Sequence, residues 1–304
     1  MPARLDLDHG RPDEHRRHWA EPQPGRSMAD RGVDFRGPQT CPDGVSPDGS
    51  AVAWMPFNAG GRAPVLVVCD HATRRIPAEL GQLGLDDWVL DTHVAWDIGA
   101  ADVACRLARM LDAPAVLSGF SRLVVDPNRG LDRTEAFPPI SAGIAIPGNQ
   151  ALDAVERRRR AEAFWLPYHE AIARRLDAFR QQGVTPAFIS VHSCTPVYDR
   201  FVRPWHIGVM WDLDTRMGPP LIDALNRWGD IHVGDNEPYS GRHPFDYTID
   251  HHAEAAGLPC VGLEIRQNLI DEPDGADYWA RLIARCLQPV LADDALYQER
   301  LQVH

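Results

Sequence analysis

Apolar and polar positions fall into an ordered pattern only from about Ala51 onward. Residues 1–50 are rich in Pro, Gly, Asp and Arg without a sustained apolar period, which predicts a disordered or loosely docked extension ahead of a single domain over 51–304. The run VLVVC (65–69) is short and wholly apolar, the mark of a strand buried on both faces, and it ends in Asp70 and His71. Residues 86–114 have helical apolar spacing, open with acidic residues and close before Pro114. AVLSG is followed by SRLVVDPNRG (121–130), a strand running into an Asp-Pro-Asn turn. A long helical stretch beginning near Ala151 ends at Gly183, where a left-handed cap is expected. Three further apolar runs, AFISVHS (187–193), WHIGVMWD (205–212) and CVGLEIRQ (260–267), read as strands.

Strands separated by helices of that length predict an α/β fold, with a mostly parallel central sheet and helices on both faces. Such sheets bind ligands beyond the carboxyl ends of their strands. His71, Asn128 with Arg129, His192 and Glu264 all lie at or just past predicted strand ends, so they should converge on one rim.

Charge and composition narrow the chemistry. The net charge is −12 and all basic residues are Arg, since the chain contains no Lys. A lysine-free acidic surface argues against nucleic acid or an anionic membrane as the main partner. It also excludes a Schiff-base lysine and a phosphate-loop lysine. Six cysteines without a C-x-x-C pair read as reduced thiols of a cytoplasmic protein. The N-terminus has no apolar stretch after its charges, so neither a secretory signal nor a membrane span is expected. Nothing in the pattern indicates an oligomeric state.

His71 and His192 each terminate a different apolar strand, a placement that costs desolvation unless a metal or a hydrogen-bond partner is present. Either each caps its strand end within a loop, or the two are ligands of one metal. Catalytic zinc takes three protein ligands and keeps a position for water. The third ligand is left between Asp97 and His93, four residues apart on one face of the predicted helix. Glu264 lies in an apolar strand two residues before Arg266, and both point to the same face. They form either a buried ion pair or a general base beside an arginine that grips substrate or polarises a carbonyl. Arg122, Asn128 and Arg129 offer a fork of donors for a carboxylate, with Asp126 as a local partner for one arginine. Asp235, Asn236 and Tyr239 are candidate lid contacts, and His243, His251 and His252 receive no role. Cys194 sits at a strand end, away from any helix terminus that would activate a thiol, and Ser193 lacks a G-x-S-x-G elbow.

The segments VVCDHA (67–72), HVAWDIGA (93–100), SRLVVDPNR (121–129), IPGN (146–149), SVHSCTP (190–196), RPWHIGV (203–209), GDNEPY (234–239), YTIDHHA (247–253) and LEIRQ (263–267) together resemble the N-formylglutamate amidohydrolase family. The resemblance implies a phosphorylase/hydrolase-like fold akin to the zinc carboxypeptidases and the aspartoacylase group. It implies one zinc or similar divalent ion held by His71 and His192, with Asp97, or else His93, in place of the short-spaced acidic ligand those enzymes use. Asn128 and Arg129 would then hold the substrate carboxylate and Glu264 would be the base. The implied activity is cleavage of the N-formyl amide of an acidic amino acid. The alternatives are another N-acyl amino acid or peptide-like amide, or a non-catalytic binding protein retaining the fold.

Overall fold

Val65, Val67 and Cys69 pack into one apolar core and the alternate residues Leu66 and Val68 into another. A wholly apolar strand can satisfy both sides only as an inner strand of a sheet covered twice. In the computed structural model, the described residues are Cys41, 51–242 and 246–298. The expected extension over 1–50, apart from Cys41, and His243 lie outside them.

In chain order come β1 (Trp54–Phe57), β2 (Val65–Cys69), α1 (Asp87–Leu90), α2 (Ala100–Met110), β3 (Ala115–Ser118) and the short pair β4 (Ile140–Ser141) and β5 (Ile144–Ala145). Next are α3 (Ala154–Arg160), a π-helical stretch (Ala161–Trp165), α4 (Leu166–Gln181), β6 (Ala187–Cys194) and the short pair β7 (Val197–Tyr198) and β8 (Phe201–Val202). The chain continues through β9 (Ile207–Met210), α5 (Gly218–Asn226), β10 (Val233–Asp235), α6 (Tyr247–His252), β11 (Cys260–Arg266) and α7 (Pro273–Leu291).

Seven strands form the central sheet in the order β1-β3-β2-β6-β11-β9-β10. Pairing is parallel except for β1 with β3 and β11 with β9, so the sheet is mostly parallel, as expected. Helices α2, α5 and α7 cover one face through residues such as Leu107, Leu221 and Ile283. The other face is covered by the π-helical stretch and α4, with Phe164, Tyr168 and Ile172 in its core, and by Ile249 of α6 packed against it. Among the described residues no helix is long and apolar enough to cross a membrane.

Three expectations are corrected. Residues 86–114 are not one helix: α1 and α2 are separated by a turn-rich loop over 91–99, so His93 and Asp97 share no helical face. The cause is tertiary. The Asp97 N–H donates to His71 O at 3.0 Å instead of to a carbonyl one turn back. Gly99 then adopts φ +79° where a Cβ would lie 2.2 Å from the Ile270 oxygen, a position open only to glycine. Residues 121–130 are not a strand. The edge of β3 is already paired with β1, and the segment folds into turns in which Val124 N–H donates to Ser121 O and Ser121 Oγ to Ala95 O. Third, the cysteines are not all thiols: Cys41 and Cys105 form a disulfide, their Cα atoms 5.8 Å apart, while Cys69, Cys194, Cys260 and Cys286 are free and buried. A separation of 64 residues hides that proximity in the sequence. By contrast, the long helix does end at Gly183, with φ +70°.

His169 on α4 and His252 on α6 join two helices of one face. His169 Nε2 lies 2.9 Å from Pro127 O and its Nδ1 2.9 Å from His252 Nε2. A carbonyl only accepts, so Nε2 of His169 carries a proton. Burial pushes His169 down to about 4 and His252 down to about 3, so both rings are neutral at neutral pH, Nδ1 of His169 accepts, and Nε2 of His252 donates. Both are depressed relative to the unfolded chain, so their stabilisation is complete above about pH 6.5 and is lost as the pH falls toward about 4. Denaturant midpoints should drop through that window, and the drop should be shallower in His252→Gln, which keeps a donor but does not titrate. An equal slope in the variant would contradict this account of the pair.

Candidate metal centre and active site

Three elements bring the central side chains together. His71 follows the end of β2, Asp97 is held in the loop before α2, and His192 lies within β6. His71 Nδ1 is 3.2 Å and His192 Nδ1 2.9 Å from the same oxygen, Oδ2 of Asp97. One ligand atom from each residue lies within 4.8 Å of the others, and all three residues are buried. The structure thus groups Asp97, and not His93, with the two histidines. His93 lines the adjoining cavity from the same loop.

Each imidazole is fixed through its far nitrogen. His71 Nε2 is 2.9 Å from Asp126 Oδ1, and His192 Nε2 is 3.2 Å from Asp70 Oδ2 and 3.1 Å from Ser190 Oγ. Asp70 in turn accepts from Tyr168 OH at 2.7 Å and Thr248 Oγ1 at 2.8 Å. Asp126 accepts from Arg122 Nη2 at 3.0 Å and from the Asn128 N–H at 2.9 Å. Carboxylates on the outer nitrogens leave both Nδ1 atoms facing inward, the arrangement that orients metal-binding histidines.

The local field agrees. Burial raises the Asp97 carboxyl, but the His71 charge and the hydrogen bonds of both imidazoles outweigh it and hold the group well below its usual range. Asp70 is likewise brought down to about 2, with His192 overcoming burial. Burial lowers both imidazoles, yet Asp126 and Asp97 raise His71, and Asp70 and Asp97 raise His192 well above its ordinary value. Three buried carboxylates around two imidazoles and Arg122 make a site that favours a cation. Two nitrogens and one carboxylate oxygen also fit the donor set of a catalytic zinc.

Glu264 stands beside His192, because the parallel register of β6 and β11 pairs these two positions. The residue is 7 % exposed, and its buried Oε2 has no hydrogen-bond partner. Burial, aided by the Asp97 charge and opposed by His192, pushes its carboxyl up to about 8. A buried polar atom without a partner costs on the order of 1–3 kcal/mol, which marks a place where a ligand belongs.

The cavity above this floor, about 490 Å³, is lined by Arg122, Asn128, Arg129, Asn236, Tyr239 and Asp246 as well as by His71, Asp97, His192 and Glu264. That volume suits a small-molecule ligand. Arg122 is committed to Asp126 and, at 3.4 Å, to Asp97, so it balances charge in the floor. Asn128 donates Nδ2 to Asp246 at 3.1 Å and accepts from the Thr248 N–H at 3.0 Å. Arg129 Nη1 donates to Asn128 O at 2.7 Å and lies 3.4 Å from Asp246 Oδ1. The loop they share is braced from behind, where Trp165 Nε1 donates to Arg129 O at 3.1 Å. Asn236 Oδ1 accepts from the N–H groups of Trp211 and Gly241, shaping the loop that carries Tyr239.

Arg266 is not among the cavity-lining residues. Its Nε donates to Asn268 Oδ1 at 3.0 Å and its Nη1 to Arg203 O at 3.4 Å. Burial, with the Glu264 charge second, pushes the Cys194 thiol up to about 12, so it is no nucleophile, and Ser193 Oγ donates to Ile98 O at 2.8 Å. Asp70, Thr248 and Arg203 lie in segments the sequence singles out but receive no role there, and Asp246 and Tyr168 lie outside them. Asp70 adjoins His71 and could have been suspected on that ground, whereas the others meet the site only through the fold.

The model of the N-formylglutamate amidohydrolase family matches residues 63–271. An N-formylglutamate deformylase of Pseudomonas putida is 24 % identical over 252 residues, spanning 76 % of this chain and 90 % of its own length. Among solved structures, a gene product of Agrobacterium tumefaciens superposes with a TM-score of 0.78 at 32 % identity, over 82 % of this chain and 98 % of that one. An N-formylglutamate amidohydrolase of Ralstonia eutropha shares the fold with a TM-score of 0.56 at 19 % identity, over 78 % of this chain and 96 % of that one. The family match takes in β2, the loop bearing Asp97, β6 and β11, and by it the chain belongs to the N-formylglutamate amidohydrolase family.

Proposed function

We propose that this chain is a metal-dependent amidohydrolase that removes the N-formyl group of N-formylglutamate or a closely similar N-acyl acidic amino acid. The observation that carries this reading is the convergence of two imidazole Nδ1 atoms on one Asp97 oxygen, next to a buried Glu264 Oε2 without a partner. His71, Asp97 and His192 would hold the ion. A divalent ion there, zinc on the basis of the donor set, supplies the Lewis acidity that lowers the pKa of water and polarises an acyl oxygen.

Glu264 is the general base. Its Oε2 takes a proton from the attacking water and returns it to the departing nitrogen, so amide plus water gives formate plus the free amine. A carboxyl raised to about 8 lies close enough to neutrality to do both, and a cation nearby favours its ionised form. Arg129 presents its guanidinium at the cavity wall, where a substrate carboxylate competes with Asp246 for it and Asn128 fixes the loop. Arg122 stays on Asp126 and Asp97, and Arg266 acts through the Arg203 backbone instead of on substrate.

Replacing Glu264 by Gln should lower kcat by about 10²- to 10⁴-fold while metal content, measured by elemental analysis, stays at the wild-type level. Near-normal turnover in that variant excludes Glu264 as the base. Arg129→Met should raise KM for N-formylglutamate by about tenfold or more and change kcat much less. Across a panel of N-formyl and N-acetyl amino acids the loss should be confined to acidic ones, and an unchanged KM removes Arg129 from substrate binding.

A further inference from the structure

Arg203 has a buried setting that gives its guanidinium a defined task. The residue is 4 % exposed and follows the hairpin of β7 and β8. Its Nη1 donates to the carbonyl oxygen and to Oγ1 of Thr195, both at 3.2 Å, and its Nη2 donates to Tyr239 OH at 2.9 Å. The guanidinium carbon also lies 5.1 Å from the Tyr198 ring centroid and 4.9 Å from that of Tyr239. The backbone is tied down as well, through Arg203 N–H to Pro196 O at 2.9 Å and Arg266 Nη1 to Arg203 O at 3.4 Å. Thr195, Tyr198 and Tyr239 line the cavity that holds Glu264 and the histidines, and Arg203 stands behind them.

Donor chemistry fixes the direction of the bond to Tyr239. A guanidinium has only donors, so the Tyr239 oxygen must accept, and its own proton has to be given elsewhere. Among the described residues no acceptor for it is present, and Tyr239 is 44 % exposed beside the cavity. Stacking of the guanidinium against two rings holds the donor in place, and a bond from a charged donor is of the stronger kind. We propose that Arg203 is a positioning residue that holds Tyr239 so that its phenol O–H is donated into the cavity, to an oxygen of the bound N-acyl amino acid. Burial first and the Glu264 charge second keep that phenol above its ordinary value, and so protonated. The proposal rests on the substrate class put forward above.

The test is a double-mutant cycle on the metal-loaded full chain with N-formylglutamate, joined to an ultraviolet titration of the tyrosines. Tyr239→Phe and Arg203→Met should each lower kcat/KM by about tenfold to a hundredfold. The double variant should be no worse than the poorer single one, since both remove the same donor. Additive losses, or wild-type kcat/KM in Tyr239→Phe, overturn the proposal. Arg203→Lys keeps the charge and loses the planar fork, so it should recover activity only in part; full recovery shows a charge effect alone and also overturns it. If Arg203→Met does not fold, the Lys variant completes the cycle. The titration needs no substrate. The phenol isolated by difference from Tyr239→Phe should ionise at higher pH once Arg203 is replaced, and no movement contradicts the contact. If the wild type hydrolyses no member of the N-acyl panel, the function reading fails on its own, and the titration still decides whether Arg203 governs the Tyr239 hydroxyl.

Discussion

An imidazole has two nitrogens, and what one of them meets fixes what the other can offer. In this protein Asp126 holds Nε2 of His71 and Asp70 holds Nε2 of His192, so both Nδ1 atoms are left to face Asp97. The cation site proposed for His71, Asp97 and His192 depends on that pinning. Without the two outer carboxylates the rings would be free to turn, and a cation would lose its nitrogen donors. The outer carboxylates are themselves restrained, Asp70 by Tyr168 and Thr248 and Asp126 by Arg122 and the Asn128 N–H. Burying so many charges is tolerable because each except Glu264 has a partner of opposite sign or a donor.

The sheet supplies the precision. A one-residue slip of β6 against β11 would turn His192 or Glu264 to the opposite face of the sheet. The β6–β11 pairing therefore places Glu264 against His192 with little freedom. The remaining groups come from loops at the same rim, and those loops are fastened to the layers beneath them. Asp97 is tied by its N–H to His71 O, and the Pro127–Arg129 turn by His169 and Trp165. A π-helical stretch runs from Ala161 to Trp165, directly behind that turn, and such stretches are frequent at functional sites.

Much of this was legible in the chain. The apolar runs at 65–69, 187–193 and 260–267 gave inner strands because nothing but a doubly covered sheet accommodates them, and their ends carried His71, His192 and Glu264. The third member of the cluster could be narrowed only to Asp97 or His93, since helical spacing across 86–114 masked a loop made by tertiary hydrogen bonds. Local pattern likewise misread 121–130, where a strand-like composition met a sheet edge already taken by β1. Asp246 and Tyr168 left no signal, and Arg203 and Thr248 fell inside the resembling segments 203–209 and 247–253 without a role, because each acts from an element distant in sequence. The Cys41–Cys105 link was hidden for the same reason.

The central claim is that His71, Asp97 and His192 form one cation site through two Nδ1 atoms and a carboxylate oxygen. Anomalous diffraction from crystals of the zinc-loaded protein tests it most directly. A single strong peak is expected within about 2.0–2.2 Å of both Nδ1 atoms and an Asp97 oxygen, with each Nε2 still on its aspartate. A fully zinc-equilibrated crystal with no peak there, or with the ion bound through Nε2 of either ring, would contradict it.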